Sequence, residues 1–304
     1  MTTKCSIAIA TYRREQVLVD TIHLLLALTP APDEIIVVDQ TEEHTEPVRC
    51  ALERLNAEGS IRWIQLETPS IPKAMNRALL AAKNELVLFL DDDVRPEPEL
   101  FAAHLNAHEQ TRAALVAGRV IQPNQEGIDF SRDEHFHFAS TRAAWIDHFM
   151  GGNFSVCRAV AIAIGGFDEC FVSVAYNFEI EFAYRLARTG YRIYFEPKGC
   201  IHHLAAKEGG TRSYGSFLTT VKPDHAVGIY YCLFRTWSGW CSFRQLVYRP
   251  FRAVITRHHL KRPWQIPISF FAQLWAVVWA VRLVIRGPQY VSAHSTYSTL
   301  PSRD

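Results

Sequence analysis

Three consecutive carboxylates, Asp91, Asp92 and Asp93, close the apolar run ELVLFL and are the densest chemistry in this 304-residue sequence. Side by side at the end of a strand they repel one another and want a cation. Oxygen donors of this kind suit Mg²⁺ or Mn²⁺, which bind one or two carboxylates together with substrate phosphates. A further carboxylate, Asp39, ends the run EIIVV. There it would accept from a base N–H or a ribose hydroxyl, or cap its own turn. Residues 10–14, ATYRR, close the first apolar run and offer the Thr11 hydroxyl, backbone N–H groups and the cations Arg13 and Arg14. All three suit a diphosphate. Neither a G-x-G-x-x-G nor a Walker A loop follows that run, which disfavours dinucleotide-binding enzymes and P-loop NTPases.

The elements that must position these groups follow from apolar periodicity. Residues 5–10, 34–38, 61–66 and 85–90 read as short buried strands, and 15–28, 45–57 and 72–83 as the helices between them. Such alternation predicts βαβ units, a mainly parallel sheet and an α/β fold, with apolar runs on both pleat faces meaning that both faces are covered. Ligands of open α/β sheets sit at the carboxyl ends of the strands, where the Asp triplet and Asp39 fall. Beyond residue 96 the pattern predicts a helix over 97–110, strands over 114–121 and 154–157, a helix over 158–164, a helix over 177–189 and a strand over 191–195. The polar stretch 122–148 is too long for a tight connection and reads as a functional loop or a partly structured segment.

A formal net charge of +1 hides an asymmetry. Residues 1–210 carry 20 Lys and Arg against 29 Asp and Glu, while residues 211–304 carry 12 against 2. The tail also holds five of the seven Trp, and its segment 266–281 is apolar except for Pro267, Ser269 and Gln273. Trp and Arg together favour a bilayer interface. A spanning helix or a core or oligomer-facing helix are the other readings of that segment. Mixing of the charges with Trp and long aliphatics argues against nucleic-acid binding. The seven cysteines, odd in number and without C-x-x-C, read as reduced residues of a cytosolic protein. The start, MTTKCSIAIATYRR, does not read as a signal peptide.

In order along the chain, ATYRR, IIVVDQT, KAMNRAL, LFLDDDV, GGNFSVCRAVAIAIGGFDE, NFEIEFAYRLARTGYRI and GCIHHL resemble a family 2 glycosyltransferase of the GT-A fold over about residues 4–205. The resemblance implies a GT-A-type domain over 1–210 and leaves 211–304 as a helical, membrane-associated region. It implies that Thr11, Arg13, Asp39, Asn76, Asp91 and Asp92 bind the nucleotide sugar, with Asn76–Arg77 standing in the inverse order of the family's R-N pair. Asp91 and Asp93 match its D-x-D motif and, with His203, would hold Mg²⁺ or Mn²⁺; His202 competes with His203 for that place. Gly152, Asn153 and Asp168 fall on the acceptor side, although Asp168 equally suits a cap on the Gly165–Gly166 turn. Where the family usually carries a Glu–Asp pair this chain has Phe178–Glu179, which makes Glu179 the implied general base. Glu181 is the competitor, but two positions along a helix face different sides, and Glu181 is spaced to pair with Arg185 at i, i+4.

The activity so implied is single-displacement transfer with inversion, from a nucleotide-diphospho-sugar to a hydroxyl of a glycan or lipid-linked acceptor, with the 122–148 loop excluding water. Asp39 favours a UDP- or dTDP-sugar. The implied place is cytoplasmic, peripheral at the inner face of the cell membrane, against an anionic surface and with no nucleic-acid partner. A non-catalytic GT-A-like binding or scaffold protein is the alternative. A sugar-phosphate nucleotidyltransferase is disfavoured because ATYRREQVLV lacks glycine.

Overall fold

The computed structural model describes residues 4–133, 135–216 and 218–291. Alternation of strand and helix holds through the first ninety residues. Strand β1 (Cys5–Thr11) leads to α1 (Gln16–Leu26), β2 (Glu34–Asp39) to α2 (Glu46–Ala57), and β3 (Arg62–Gln65) to α3 (Ile71–Ala81) and β4 (Leu86–Leu90). The Ser70 hydroxyl caps α3 by accepting from the Lys73 amide, and Pro72 sits in its first turn, where a missing N–H costs nothing. After β4 come β5 (Val94–Pro96), α4 (Leu100–Thr111), β6 (Leu115–Ile121), β7 (Ala144–Ile146) and β8 (Asn153–Cys157). Then follow α5 (Arg158–Ala163), α6 (Phe178–Arg188) and β9 (Ile193–His203). The tail forms α7 (Val227–Arg235), α8 (Trp240–Val254), α9 (Arg257–Lys261) and α10 (Gln265–Arg286).

The strands join in one sheet in the order β3-β2-β1-β4-β8-β6-β9-β5, with β7 pairing β9. Strands β3, β2, β1 and β4 are parallel, as is β6 with β9; β8 runs antiparallel to both its neighbours, and β5 and β7 run antiparallel to β9. The α/β class thus holds, but the sheet is mixed rather than mainly parallel. The expectation came from the βα alternation of the first half, which says nothing about how the later strands enter the sheet. Ile7, Ile9, Val37 and Leu88 face a core with α1, α2 and α4, whereas Ala8, Ile36, Val38, Val87 and Phe89 face one with α3, α5, α6, α7 and α10.

Register fixes the site. Thr11 lies opposite Asp39, and Leu90 lies between Ile9 and Asn153, so the ends of β1, β2 and β4 and the start of β8 form one edge. Strand β9 is longer than its predicted 191–195 span. The turn-like Pro197–Lys198–Gly199 is carried as an irregularity in its pairing with β6, and its far end then lies beside β5, with Val94 opposite His203.

Helix α10 contains the apolar segment and is long and apolar enough to cross a membrane, by length and composition. One face, Ser269, Ala272, Ala276, Ala280 and Leu283, is buried and packs on α7 and α8. Small side chains there allow close approach. The other face is exposed, with Phe271 at 70% and Ile285 at 79%.

Candidate functional site

The turn after β4 delivers the three carboxylates to different tasks. Asp92 and Asp93 are buried, and both meet the buried guanidinium of Arg14, at 2.9 Å from Asp92 Oδ1 and 3.3 Å from Asp93 Oδ2. The Ala206 amide also donates to Asp93 Oδ2 (2.7 Å). Asp93 Oδ1 is left to face His203 Nε2 at 3.2 Å, and Asp91 Oδ2 lies 3.9 Å from the same nitrogen. Gln122 fixes the ring from its other side, its Oε1 lying 3.0 Å from His203 Nδ1. One ligand atom from each of Asp91, Asp93 and His203 falls within 4.8 Å of the others, an arrangement able to hold a metal ion. His202, one residue back and so on the opposite face of β9, is held between Glu97 (2.6 Å) and Glu126 (2.7 Å). The period of the strand separates the two candidates.

Electrostatics sort the acids. Burial pushes Asp92 up to about 6 despite Arg14. Desolvation by the cavity walls also raises Asp91, although about half of its side-chain surface stays accessible. It would raise Asp93 too, but the His203 and Arg14 interactions outweigh it and hold Asp93 below the ordinary carboxylate range. His203 is correspondingly raised, chiefly by its hydrogen bond to Asp93.

These groups open into a cavity of about 490 Å³ at the strand ends. Thr11, Arg14, the three aspartates and His203 line one side, and Gly152, Phe178 and Glu179 another. Glycine at position 152 leaves the Asp91 carboxyl its place, since a Cβ there would lie 2.0 Å from Asp91 Oδ2 and force that side chain aside. Glu179, at the start of α6, faces the cavity with Oε2 buried and without a hydrogen-bond partner. Burial, with a contribution from Asp91, pushes its carboxyl up to about 7. A carboxyl poised near neutrality and aimed into a cleft is suited to exchanging a proton with a bound ligand. Glu181 is buried on another side of α6, bonded to Arg185 at 2.9 Å and to the Tyr290 hydroxyl at 3.1 Å. The expected local ion pair is present, but in the interior rather than on the surface.

Several residues expected at the site lie elsewhere. Arg13 adopts a positive φ, turns outward and pairs with Glu42 at 3.0 Å, so of these two arginines it is Arg14 that lines the cavity. Asp39 is fully buried behind the edge, its oxygens accepting from the Thr41 amide (2.9 Å), Trp63 Nε1 (3.0 Å) and His44 (2.7 Å). It does not line the cavity, and both of its oxygens are bonded to neighbouring groups of the interior. Asn76 bonds the Phe167 amide and carbonyl, both at 2.8 Å, pinning α3 to the turn after α5. Asn153 bonds His104 and the Arg119 and Gly199 carbonyls. Asp168 accepts from Tyr231, Cys170 and Gln289. Each satisfies buried polar groups instead of facing the cavity.

The 122–148 stretch does not line the cavity among the described residues; it packs on β9 through Phe136, Phe138 and β7. The wall is formed instead by 210–215, which the reading of the sequence did not single out. The Gly210 amide donates to the Tyr12 carbonyl (2.7 Å), Arg14 donates to the Glu208 carbonyl, and Arg212 and Tyr214 face inward. Gly209 makes that approach possible: its φ is +76°, and a Cβ would lie 2.1 Å from the Arg13 carbonyl oxygen. The Gly209–Gly210 pair was the available signal.

Residues 6–174 match the family described as glycosyl transferase family 2. A pre-mycofactocin glycosyltransferase of Mycobacterium tuberculosis (strain CDC 1551 / Oshkosh) is 29% identical over 139 residues, covering 43% of this chain and 29% of that protein. The protein of the same name from strain ATCC 25618 / H37Rv matches equally. The match therefore spans less than a third of these curated relatives. Among solved structures, a mannosyltransferase of Pyrobaculum calidifontis in complex with GDP-Man and Mn²⁺ is similar with a TM-score of 0.57 and 19% identity, covering 94% of this chain and 80% of that one. S. aureus TarS 1–349 in complex with UDP-GlcNAc is similar with a TM-score of 0.59 and 15% identity, covering 90% and 82%. At such identities the likeness concerns the fold.

Proposed function

The chain belongs to glycosyl transferase family 2, and on that premise we propose that it is an inverting, metal-assisted enzyme moving a sugar from a nucleoside-diphosphate donor to a hydroxyl of a glycan or lipid-linked acceptor. The observation that carries this reading is that the Asp91–Asp93–His203 set and the Glu179 carboxyl, whose Oε2 has no hydrogen-bond partner, face one cavity. The donor set fits a divalent cation. It offers two carboxylates and one imidazole, and Gly152 leaves room for Asp91 to point inward. Mg²⁺ or Mn²⁺ held there would act as a Lewis acid on the donor diphosphate.

The chain's own residues supply the rest. Arg14 offsets the charge of Asp92 and Asp93, so the acidic turn survives burial. Arg212 brings a cation to the cavity wall for the diphosphate. Glu179 takes the proton from the acceptor hydroxyl, whose oxygen attacks the anomeric carbon from the face opposite the leaving diphosphate, and the configuration inverts. Residues 210–215 narrow access for water. Donors in the similar structures, GDP-Man and UDP-GlcNAc, support a nucleotide sugar here without choosing a base. Asp39, which the uracil or thymine reading uses as acceptor for a base N–H, is bonded in the interior to Thr41, His44 and Trp63 and adds no support for one base over another.

The exposed apolar faces of α8 and α10, in a tail with 12 basic and 2 acidic residues, support peripheral attachment to an anionic membrane surface. The seven free cysteines accord with the cytoplasmic side.

Thermal stability with UDP, dTDP, GDP, CDP and ADP, each with and without Mn²⁺ or Mg²⁺, tests the donor site. A ligand at 100 times its Kd stabilises by about 2.7 kcal/mol. One diphosphate is expected to raise Tm only with the metal, and Asp93→Ala to abolish the rise. A folded protein that no diphosphate–metal pair stabilises would sink the reading.

A further inference from the structure

Glu179 enters the donor cavity from a segment whose backbone is bent against its preference. Ser173, Ala175 and Asn177 all take positive φ, at +57°, +56° and +70°. Left-handed conformations are costly for residues with a Cβ, and such a run persists only where neighbours hold the chain in place. The bends bury Val174 and Ala175. They also start α6 so that Glu179, in its first turn, faces the cavity.

Neighbours that hold this segment come from the tail. Phe171 meets Tyr231 of α7 edge-on, with 5.0 Å between ring centroids. Gly228 of α7 lies so close to Tyr176 that a Cβ there would be 2.6 Å from the Tyr176 carbonyl oxygen and 2.9 Å from its nitrogen. The Ser173 hydroxyl, itself on the cavity lining, donates to Asp224 Oδ1 at 2.8 Å. Asp224 stands out in a cationic tail. Residues 211–304 hold one other acid, Asp304, which lies outside the described residues. An acid just before a helix commonly caps it, but α7 has no side-chain cap, and the Asp224 carboxylate reaches Ser173 instead. A hydrogen bond to a carboxylate is stronger than one between neutral groups.

We propose that Asp224, acting through Ser173, is a positioning residue for Glu179. Its bond pins the first left-handed bend, and with it the direction in which α6 presents the Glu179 carboxyl to the cavity. The tail thereby takes part in the proton transfer assigned to Glu179, the reading on which this proposal rests.

Hydrogen exchange of the full chain in EDTA tests the hold. The Ala175 and Phe178 amides donate to the Val172 and Ala175 carbonyls and report on the bends. Asp224→Ala is expected to speed their exchange about tenfold or more, with the amides of β1 and β4 unchanged. Ser173→Ala removes the same bond from its other end and should act alike, and the double variant should be no worse than either single one. Asp224→Asn keeps an acceptor oxygen and should restore most of the protection. Melting at pH 8 then separates positioning from plain support of the fold. There the ionised Glu179 carboxyl is buried at a cost, and Asp91, Tyr176 and Cys232 are the titratable groups that meet its charge. Glu179→Gln therefore raises Tm, by a smaller margin in the Asp224→Ala chain, where the loosened carboxyl regains water. Plain support would lower Tm and leave the margin as it was. An undiminished margin, unchanged exchange at Ala175 and Phe178, or Asp224→Asn exchanging as fast as Asp224→Ala would each overturn the proposal. No nucleotide enters these measurements, so a failed donor test beside a narrowed margin would remove the transfer reading alone.

Discussion

A carboxyl that burial lifts to about 7 is half ionised at neutrality, and Glu179 is the acid in the donor cavity placed to use this. Only its ionised form accepts a proton, so kcat/KM is expected to rise with pH through about 7 and level above it. Glu179→Gln should cut turnover by about 10²–10⁴-fold while keeping the metal-dependent nucleotide shift. Stability supplies an independent check. Because the folded pKa lies above the ordinary carboxyl value of 4.5, the folded state holds the proton more tightly, and stability falls as pH rises between 4.5 and about 7. The Gln variant lacks that loss and is therefore expected to melt higher than the wild type at pH 8, with the difference vanishing near pH 4. A flat rate profile across pH 6–8, with chemistry limiting, would remove Glu179 from the base role.

Among the elements, the crossing of β4 and β8 decides whether the acidic turn can hold a cation. The Asp91 amide donates to the Gly152 carbonyl at 3.1 Å, which brings the two backbones together and leaves space for the Asp91 carboxyl alone. Gly152→Ala is expected to push that carboxyl aside. The concentration of Mn²⁺ needed for nucleotide-dependent stabilisation should rise about 10–100-fold, as when groups that orient a ligand are lost. Without metal, melting should change little, because the displaced carboxyl has half its surface free. An unchanged metal requirement would show that Asp91 is not a ligand.

At the scale of the whole molecule, Asp168 is one of the groups that tie the tail helices to the sheet core. Asp168 Oδ2 accepts from Tyr231 of α7 at 2.7 Å, and Oδ1 from the amides of Cys170 and Gln289, the latter just past α10. Tyr230, Tyr231 and Leu283 share a cluster with Phe89 and Phe154 of the sheet. Asp168→Ala strands the buried donors and is expected to cost about 2–4 kcal/mol, read as a lower melting temperature with the nucleotide shift intact. Full stability with turnover lost would instead return Asp168 to an acceptor role.

Sequence alone determined much of this protein, because its signals are local. Short apolar runs such as Leu86–Leu90, bounded by turn residues, read as buried strands, the helices between them have periodic faces, Ser70 caps α3, and the Asp triplet ends a strand where ligands bind. The period of two in a strand and of 3.6 in a helix also separates His203 from His202 and Glu179 from Glu181. Tertiary structure decided what depends on partners far along the chain. Arg14 rather than Arg13 faces the cavity because a positive φ turns Arg13 outward. Asp39 lies behind the cavity edge, bonded to Trp63 and His44, and part of the wall comes from 210–215 because Gly209 lets two backbones meet. The direction of β8 and the reach of β9 were likewise settled by pairing, since a strand's own residues specify which faces it buries but not which neighbour it meets.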